Sequence, residues 1–325
     1  MTDVLQRKLS LAPMMEVTDR HFRKFCRLLH PSMVLYTEMV TTGAILHGDR
    51  PRFLNYDPAE HPVALQLGGS NPSDLAACAK HGQEWGYDEI NLNVGCPSDR
   101  VQEGKIGACL MAEPDLVSDC VRAMAEVTSL PVTVKTRLGI DENEDFDVLC
   151  SFVEKLKKAG APLVSLHARK AWLQGLSPKQ NREVPPLRYE WVYRIKELFP
   201  DLLVEINGGI TTQEDVKRHL EKVDSVMLGR AAQNNPWILR ELALLHGAEK
   251  SLPNSRTDAL NLHTAYISEQ LDEGRPLPIL TRHLLGLFQG MKGAKRWRQL
   301  LSSPTGRSIS HWQDLVELSG EIEGL

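Results

Sequence analysis

No apolar run in the 325 residues approaches the roughly 18 needed to span a bilayer, and the first 13 residues, MTDVLQRKLSLAP, contain no apolar stretch of signal-peptide length. These absences argue against a membrane-spanning or secreted chain and predict a cytoplasmic protein without a membrane partner. Metal-ligand spacings are missing too. The six cysteines, at 26, 78, 96, 109, 120 and 150, form no C-x-x-C pair and none stands beside a histidine at zinc-ligand spacing, so no metal is expected. There is no solenoid-type repeat and no low-complexity segment. The first apolar run continues as LAPMMEVTD, without the Gly-rich turn of a dinucleotide-binding sheet, which argues against a doubly wound fold. The net charge of −4 shows no global basic excess that would mark a nucleic-acid partner.

What is present is an ordinary globular composition, 42% hydrophobic and 25% charged, on a chain long enough for one large barrel and a smaller domain. Eight short apolar runs recur: 9–13, 33–39, 63–69, 89–95, 132–137, 163–169, 202–208 and 225–230. Each is rich in branched side chains and ends in a polar residue or glycine, as parallel strands buried on both faces do. Helix signals separate them at 18–29, 72–85, 114–128, 145–159, 189–199, 212–220 and 235–245, with an Asn cap at Asn71 and a Thr-x-x-Asp capping box from Thr212. This alternation predicts a (β/α)8 TIM barrel over residues 1–245. Beyond it, helical patterns over 257–272, 278–290, 294–302 and 311–322 predict a C-terminal all-helical domain, 246–325, with Leu252-Pro253-Asn254-Ser255 as linker.

Barrel sites lie at the C-terminal ends of the strands. There the sequence places Pro13-Met14-Met15, Thr37-Glu38, Gln66, Asn91 and Asn93, Gly95-Cys96-Pro97, Lys135 and Arg137, His167 and Arg169, Asn207-Gly208-Gly209, and Gly229-Arg230. The glycines after the seventh and eighth runs let backbone N–H groups approach an anion, and Arg230 with a helix start adds positive potential, so a phosphate site is expected. Lys135 is suited to a Schiff base, to stabilising an anionic ring, or to a structural ion pair. Cys96 sits in a long loop, 94–113, as a candidate nucleophile or general acid. Cys109 shares that loop and ranks behind it. Cys26, Cys78, Cys120 and Cys150 lie in helical patterns, as small buried thiols do.

Charge is distributed unevenly. Residues 282, 292, 295, 296, 298 and 307 are Lys or Arg with no acid between them, and Phe288 and Trp297 are interleaved. The loop 169–188 sets Arg169, Lys170, Lys179, Arg182 and Arg188 against one acid, Glu183, beside Trp172 and Asn181. Two basic clusters on an acidic chain suit a localised RNA contact, with a solvated face as the plain alternative. The acidic run 141–147 stands at a helix start, where carboxylates favour the dipole, and is assigned no chemistry.

The stretches LAPMMEVTDRHFR, LYTEMVTTGAI, ALQLGGS, DEINLNVGCPSDRVQEGKIGACLM, VTVKTRLGI, HARKAWLQGLSPKQNREVPPL, INGGI, LGRAAQNNP and LTRHLLGLFQG together resemble the tRNA-dihydrouridine synthases, in order over residues 9–301. The 167–187 stretch is similar to the A-type subfamily; Ile106 departs from it, where an aromatic is expected. The resemblance implies an FMN-bound barrel with a helical tRNA-binding domain. It would reduce the C5–C6 bond of D-loop uridines at positions 20 and 20a, with NADPH as reductant. It places Pro13, Met14, Met15, Gln66, Lys135, His167, Asn207, Gly208, Gly209, Gly229 and Arg230 on FMN. It makes Cys96 the general acid that protonates C5 after hydride reaches C6, and it puts Asn93, Arg169, Lys170, Lys179, Asn181, Arg182, Lys295 and Arg298 on tRNA. A monomer is expected. Three rivals stay open on the residues alone: a flavin barrel acting on a free pyrimidine, a Schiff-base aldolase using Lys135, and a non-catalytic RNA-binding protein.

Overall fold

The computed structural model describes residues 4–245, 247, 252–302 and 311–325. Nine parallel strands form its sheet: β1 (Leu9–Leu11), β2 (Val34–Tyr36), β3 (Val40–Thr41), β4 (Val63–Gly68), β5 (Glu89–Val94), β6 (Val132–Arg137), β7 (Leu163–His167), β8 (Leu203–Asn207) and β9 (Ser225–Leu228). Pairing runs in sequence order from β4 to β9. β9 then pairs with β1, β1 with β2, and β2 with β4, which closes an eight-stranded barrel. The ninth strand, β3, is a two-residue extension pairing with β4 at Val40↔Leu67. It was not visible in the sequence, nor were the short helices Thr42–His47 and Arg50–Leu54 that follow. The fold is the TIM barrel that the alternation of runs and helix signals predicts.

The strands alternate in a way that explains the site. On β5, Ile90, Leu92 and Val94 are fully buried apolar residues, while Glu89, Asn91 and Asn93 are buried and bonded to groups on other strands. On β6, Val132 and Val134 alternate with Thr133, Lys135 and Arg137 in the same way. Successive side chains of a strand leave on opposite faces, so one set packs under the helices and the other fills the lumen. The helices begin where their caps dictate. Asn71 accepts from Ser73 and Asp74 N–H ahead of Pro72–Glu84, Asp145 caps Phe146–Lys158, and Thr212 with Asp215 closes a capping box on Gln213–Leu220.

The chain forms two compact units, Met1–Thr18 with Met33–Gly229, and Asp19–Ser32 with Arg230–Leu325. These bounds differ from a division at residue 245, and they assign the helix Arg20–Leu29 to the second, helical unit. Within that unit, the helix expected over 278–290 is broken. It is a short helix Leu277–Thr281, a 3-10 turn Arg282–Leu284 and then turns. Gly286 there lies so close to the backbone of Asn234 that a Cβ would fall 2.2 Å from its carbonyl oxygen. Phe288 and Trp297, read as interleaved with the basic cluster, are fully buried, with rings 4.7 Å apart and the indole donating to Leu284 O at 2.7 Å. They belong to the core, and no base can stack on them.

Among the described residues, no helix is long and apolar enough to cross a membrane, and no group of three or more His, Cys, Asp or Glu side chains is placed to hold a metal ion.

Candidate active site

The lumen holds buried polar and charged groups beside a small apolar cluster that includes Ala12, Tyr36, Ala64 and Met227. Arg7 lies inside it, with Nε donating to Glu205 Oε1 at 3.0 Å, Nη1 to Glu89 Oε2 and Nη2 to Tyr36 Oη at 2.9 Å. Ser10 and Ser165 hydroxyls donate to Glu205 as well, and those of Tyr36 and Thr133 to Glu89. Two buried carboxylates thus share one guanidinium, and each is surrounded by donors.

Towards the C-terminal strand ends the sign of the charge reverses. Lys135 Nζ donates to Asn207 Oδ1 at 3.3 Å across the lumen. Burial, with the Arg137 charge behind it, pushes the Lys135 ammonium down to about 8, although Glu205 pulls the other way. Arg137 donates to Gly95 O at 3.1 Å, Lys170 O at 3.1 Å and Asn181 O at 2.9 Å. All three are neutral carbonyls, and burial brings its guanidinium down to about 10. Among the described residues no carboxylate is hydrogen-bonded to either cation, so the strand ends carry positive charge suited to an anion or a developing negative charge.

Cys96 follows β5 in a turn held from both sides. Asn93 Oδ1 accepts from Gly95 N–H at 3.1 Å and Cys96 N–H at 3.0 Å. Ala108 N–H donates to Cys96 O at 2.9 Å, and a Cβ on Gly107 would fall 2.5 Å from that same oxygen, so the loop 94–113 folds back tightly on the turn. The Cys96 thiol is half-buried, 3.5 Å from Ser98 Oγ. Cys109 instead sends its thiol to Ile106 O at 3.2 Å, and burial raises it.

After β8 the backbone turns through Gly208 (φ 111°) and Gly209 (φ 69°). Both conformations favour glycine, and space forbids anything else. A Cβ on Gly208 would press on the His167 ring at 2.7 Å, and one on Gly209 on Leu187 at 2.6 Å. Tyr189 Oη donates to Gly208 O at 2.7 Å and fixes the turn. Gly229 differs: a Cβ there would meet Ala12 and Met14 only at ordinary contact distance. Arg230 follows it in the chain and opens the helix Arg230–Asn234. In the β1 loop, Thr18 Oγ1 accepts from Met14 N–H at 3.0 Å; Pro13 and Met14 are half-buried and Met15 is exposed.

The loop 168–188 departs from its sequence reading. Asn181 is fully buried. Its amide accepts from Trp172 N–H at 2.8 Å and donates to Trp172 O at 2.8 Å, so it staples the loop and has no edge left for RNA. Lys170 lies 4.2 Å from the centre of the Trp172 ring and 3.3 Å from Glu144, which also binds Arg188 at 2.7 Å. Asp141 accepts from Leu173 N–H at 2.7 Å. The acidic run 141–147, assigned no chemistry above, therefore anchors the basic loop. The available signal was its charge, opposite to that of 169–188. Arg169 donates to Pro185 O and Lys179 is exposed. In the helical unit, Arg282 is paired with Asp19 at 2.6 Å and Arg296 with Glu321 at 2.6 Å, while Lys292, Lys295 and Arg298 are exposed; Arg307 lies outside the described residues.

A closed parallel barrel with cationic strand ends, a glycine turn and a braced cysteine defines an α/β-barrel enzyme. The chain belongs to the dihydrouridine synthase family, whose model matches residues 10–315. It is 54% identical over 315 residues to the tRNA-dihydrouridine(20/20a) synthase of Xanthomonas campestris pv. campestris, covering 97% of this chain and 93% of that one. To the protein of the same name from Synechocystis sp. it is 56% identical over 297 residues (91% and 89%), and to that from Pseudomonas aeruginosa 55% over 299 residues (92% and 90%).

Proposed function

We propose that this enzyme reduces uridine to dihydrouridine at positions 20 and 20a of tRNA, with FMN as cofactor and NADPH as reductant. The observation that carries the reading is the placing of Cys96 in a braced turn, at the strand end beside Lys135, in a chain whose relatives of over 50% identity bear that name. Two of the rivals fare worse. An aldolase gives the Cys96 turn no task, and an RNA-binding protein without catalysis gives none to a lumen full of oriented polar groups.

The residues fit FMN. The turn at Gly208 and Gly209, whose positive φ angles favour glycine, suits the phosphate, and His167, Asn207, Gly229 and Arg230 would hold it as well. Lys135, a cation with no carboxylate bonded to it, suits the negative charge of a reduced flavin, and Gln66, Pro13, Met14 and Met15 line the ring. When bound, FMN reduced by NADPH supplies the hydride that uracil C6 receives. Cys96 then donates its thiol proton to C5, completing the addition of two hydrogens across the bond. Asn93 stands on the base side of that step. The target uridine has to leave its stack to reach the Cys96 turn at the strand ends.

The barrel unit is the FMN-binding catalytic part, and the helical unit binds tRNA. Arg169, Lys179 and Arg182 serve the RNA from the barrel loop, with Lys170 and Asn181 shaping that loop, and Lys295 and Arg298 serve it from the helical part. The enzyme works as a cytoplasmic monomer. In the test, Cys96→Ala retains bound FMN, read from its visible spectrum, and loses at least about a hundredfold of its dihydrouridine formation on tRNA. Wild-type turnover by that variant removes Cys96 from the mechanism.

A further inference from the structure

A single file of hydrogen bonds runs along the lumen wall, over β5 and its neighbours β4 and β6, from the Cys96 turn to Glu89. Cys96 N–H donates to Asn93 Oδ1 at 3.0 Å; Asn93 Nδ2 donates to Gln66 Oε1 at 2.8 Å; Gln66 Nε2 donates to Asn91 Oδ1 at 2.8 Å; Asn91 Nδ2 donates to Thr133 Oγ1 at 2.8 Å; and the Thr133 hydroxyl donates to Glu89 Oε1. The side chains that link its two ends, Asn93, Gln66, Asn91 and Thr133, are all buried, as is Glu89. Each of the three amides has nearly the same shape in either orientation, so packing alone does not choose how it faces. The ends of the file choose. The turn N–H groups can only donate, and the Glu89 carboxylate can only accept. Arg7 Nη1 donates to Oε2 of that carboxylate, and Oε1 accepts both the Tyr36 and the Thr133 hydroxyl protons.

We propose that Glu89 and Thr133 are positioning residues for the reaction. Through Asn91, they fix which way the Gln66 and Asn93 amides face, and with that the seat of the Cys96 turn. Neither touches the reacting atoms. A carboxamide at position 89 can offer its NH2 to Thr133, which would turn the hydroxyl onto Asn91 and reverse each amide in succession. Asn93 would then point a donor at two donors, and the turn would lose its seat. The inference rests on Cys96 being the proton donor, so the test includes a readout that does not depend on that.

Glu89→Gln leaves Glu205 as the one carboxylate for Arg7 and risks the fold, so the near-isosteric Thr133→Val carries the test, with Thr133→Ser as rescue. Two quantities are measured on the folded, flavin-loaded variants: kcat and KM on tRNA, and the rate of iodoacetamide alkylation at Cys96, read by peptide mapping. Thr133→Val lowers kcat roughly ten- to a hundredfold with KM unchanged, and shifts the Cys96 alkylation rate while leaving that of Cys109 alone. Thr133→Ser restores both. Wild-type kcat and alkylation in Thr133→Val overturn the proposal. So does equal impairment in Thr133→Val and Thr133→Ser, because the missing feature would then be the methyl packing. Should Cys96→Ala keep its turnover, the catalytic reading falls, and the alkylation contrast still decides whether Thr133 seats the turn.

Discussion

The two units fill their centres with different chemistry. In the barrel, Arg7, Glu89, Glu205 and Arg137 are buried as charged or charge-bearing groups, each held by several hydrogen bonds. In the helical unit the centre is built of rings: His263 lies 5.3 Å from Phe25, 5.0 Å from Tyr266 and 6.1 Å from Trp312, and His21 meets Tyr266 Oη at 2.7 Å. Burial holds His263 down at about 3 and His21 at about 4, so both rings are neutral at pH 7. The contrast follows from geometry. Eight strands send alternate side chains into one lumen, where partners from opposite strands meet and buried charge can be satisfied; a helix buries a stripe against other stripes and favours apolar or neutral groups. Oriented charge collects where chemistry needs a fixed geometry, and neutral rings where packing suffices.

The largest expected effect tests the charged half of this contrast. Arg7→Met strands two carboxylates in the lumen and should cost about 3–5 kcal/mol in denaturant unfolding; a loss below about 1 kcal/mol would mean the lumen does not depend on its charge balance. The next tests the neutral half. Below about pH 6.5 the unfolded chain binds protons that His21 and His263 refuse in the fold, so stability falls as pH drops from there towards 4. Each ring contributes at most about 1.4 kcal/mol per pH unit, and His263→Phe should flatten the profile between pH 6.5 and 4. An unchanged profile would show that this ring is not the neutral buried group described. The smallest effect on stability is at the surface. Replacing Lys295 and Arg298 by alanine should leave unfolding within about 0.5 kcal/mol of wild type. It should still weaken tRNA binding and flatten the log-affinity against log-salt slope by roughly one for each phosphate no longer neutralised. An unaltered slope would take the RNA-binding role away from this helix.

Much of the barrel could be read directly. The runs EINLNV and VTVKTR name their strands, and Asn71, Asp145 and Thr212 mark helix starts where the caps form. β3 and the helices 42–47 and 50–54 escaped because elements of two to six residues carry too little periodicity to register. The pattern over 278–290 misled because its apolar spacing is helical, while Gly286 sits against the Asn234 backbone and the chain turns there instead. At the site, the glycine turn after β8, Lys135 and the Cys96 turn were legible from strand-end position. Depth was not. Asn181, Phe288 and Trp297 read as contact residues and are buried, and Glu144 read as a dipole partner and is an anchor.

By itself the sequence determined the elements of local period, the barrel that eight parallel strands must close, and the membership of the dihydrouridine synthase family, because each depends on residues near in the chain or on many positions matched in order. Only the tertiary structure decided that 19–32 joins the helices after 229, which lumen cations have no carboxylate bonded to them, and that Glu89, Thr133, Asn91, Gln66 and Asn93 form one directed file. Those outcomes depend on pairings between residues distant in the chain, and such pairings exist only once strands and helices have assembled and brought them within reach of one another.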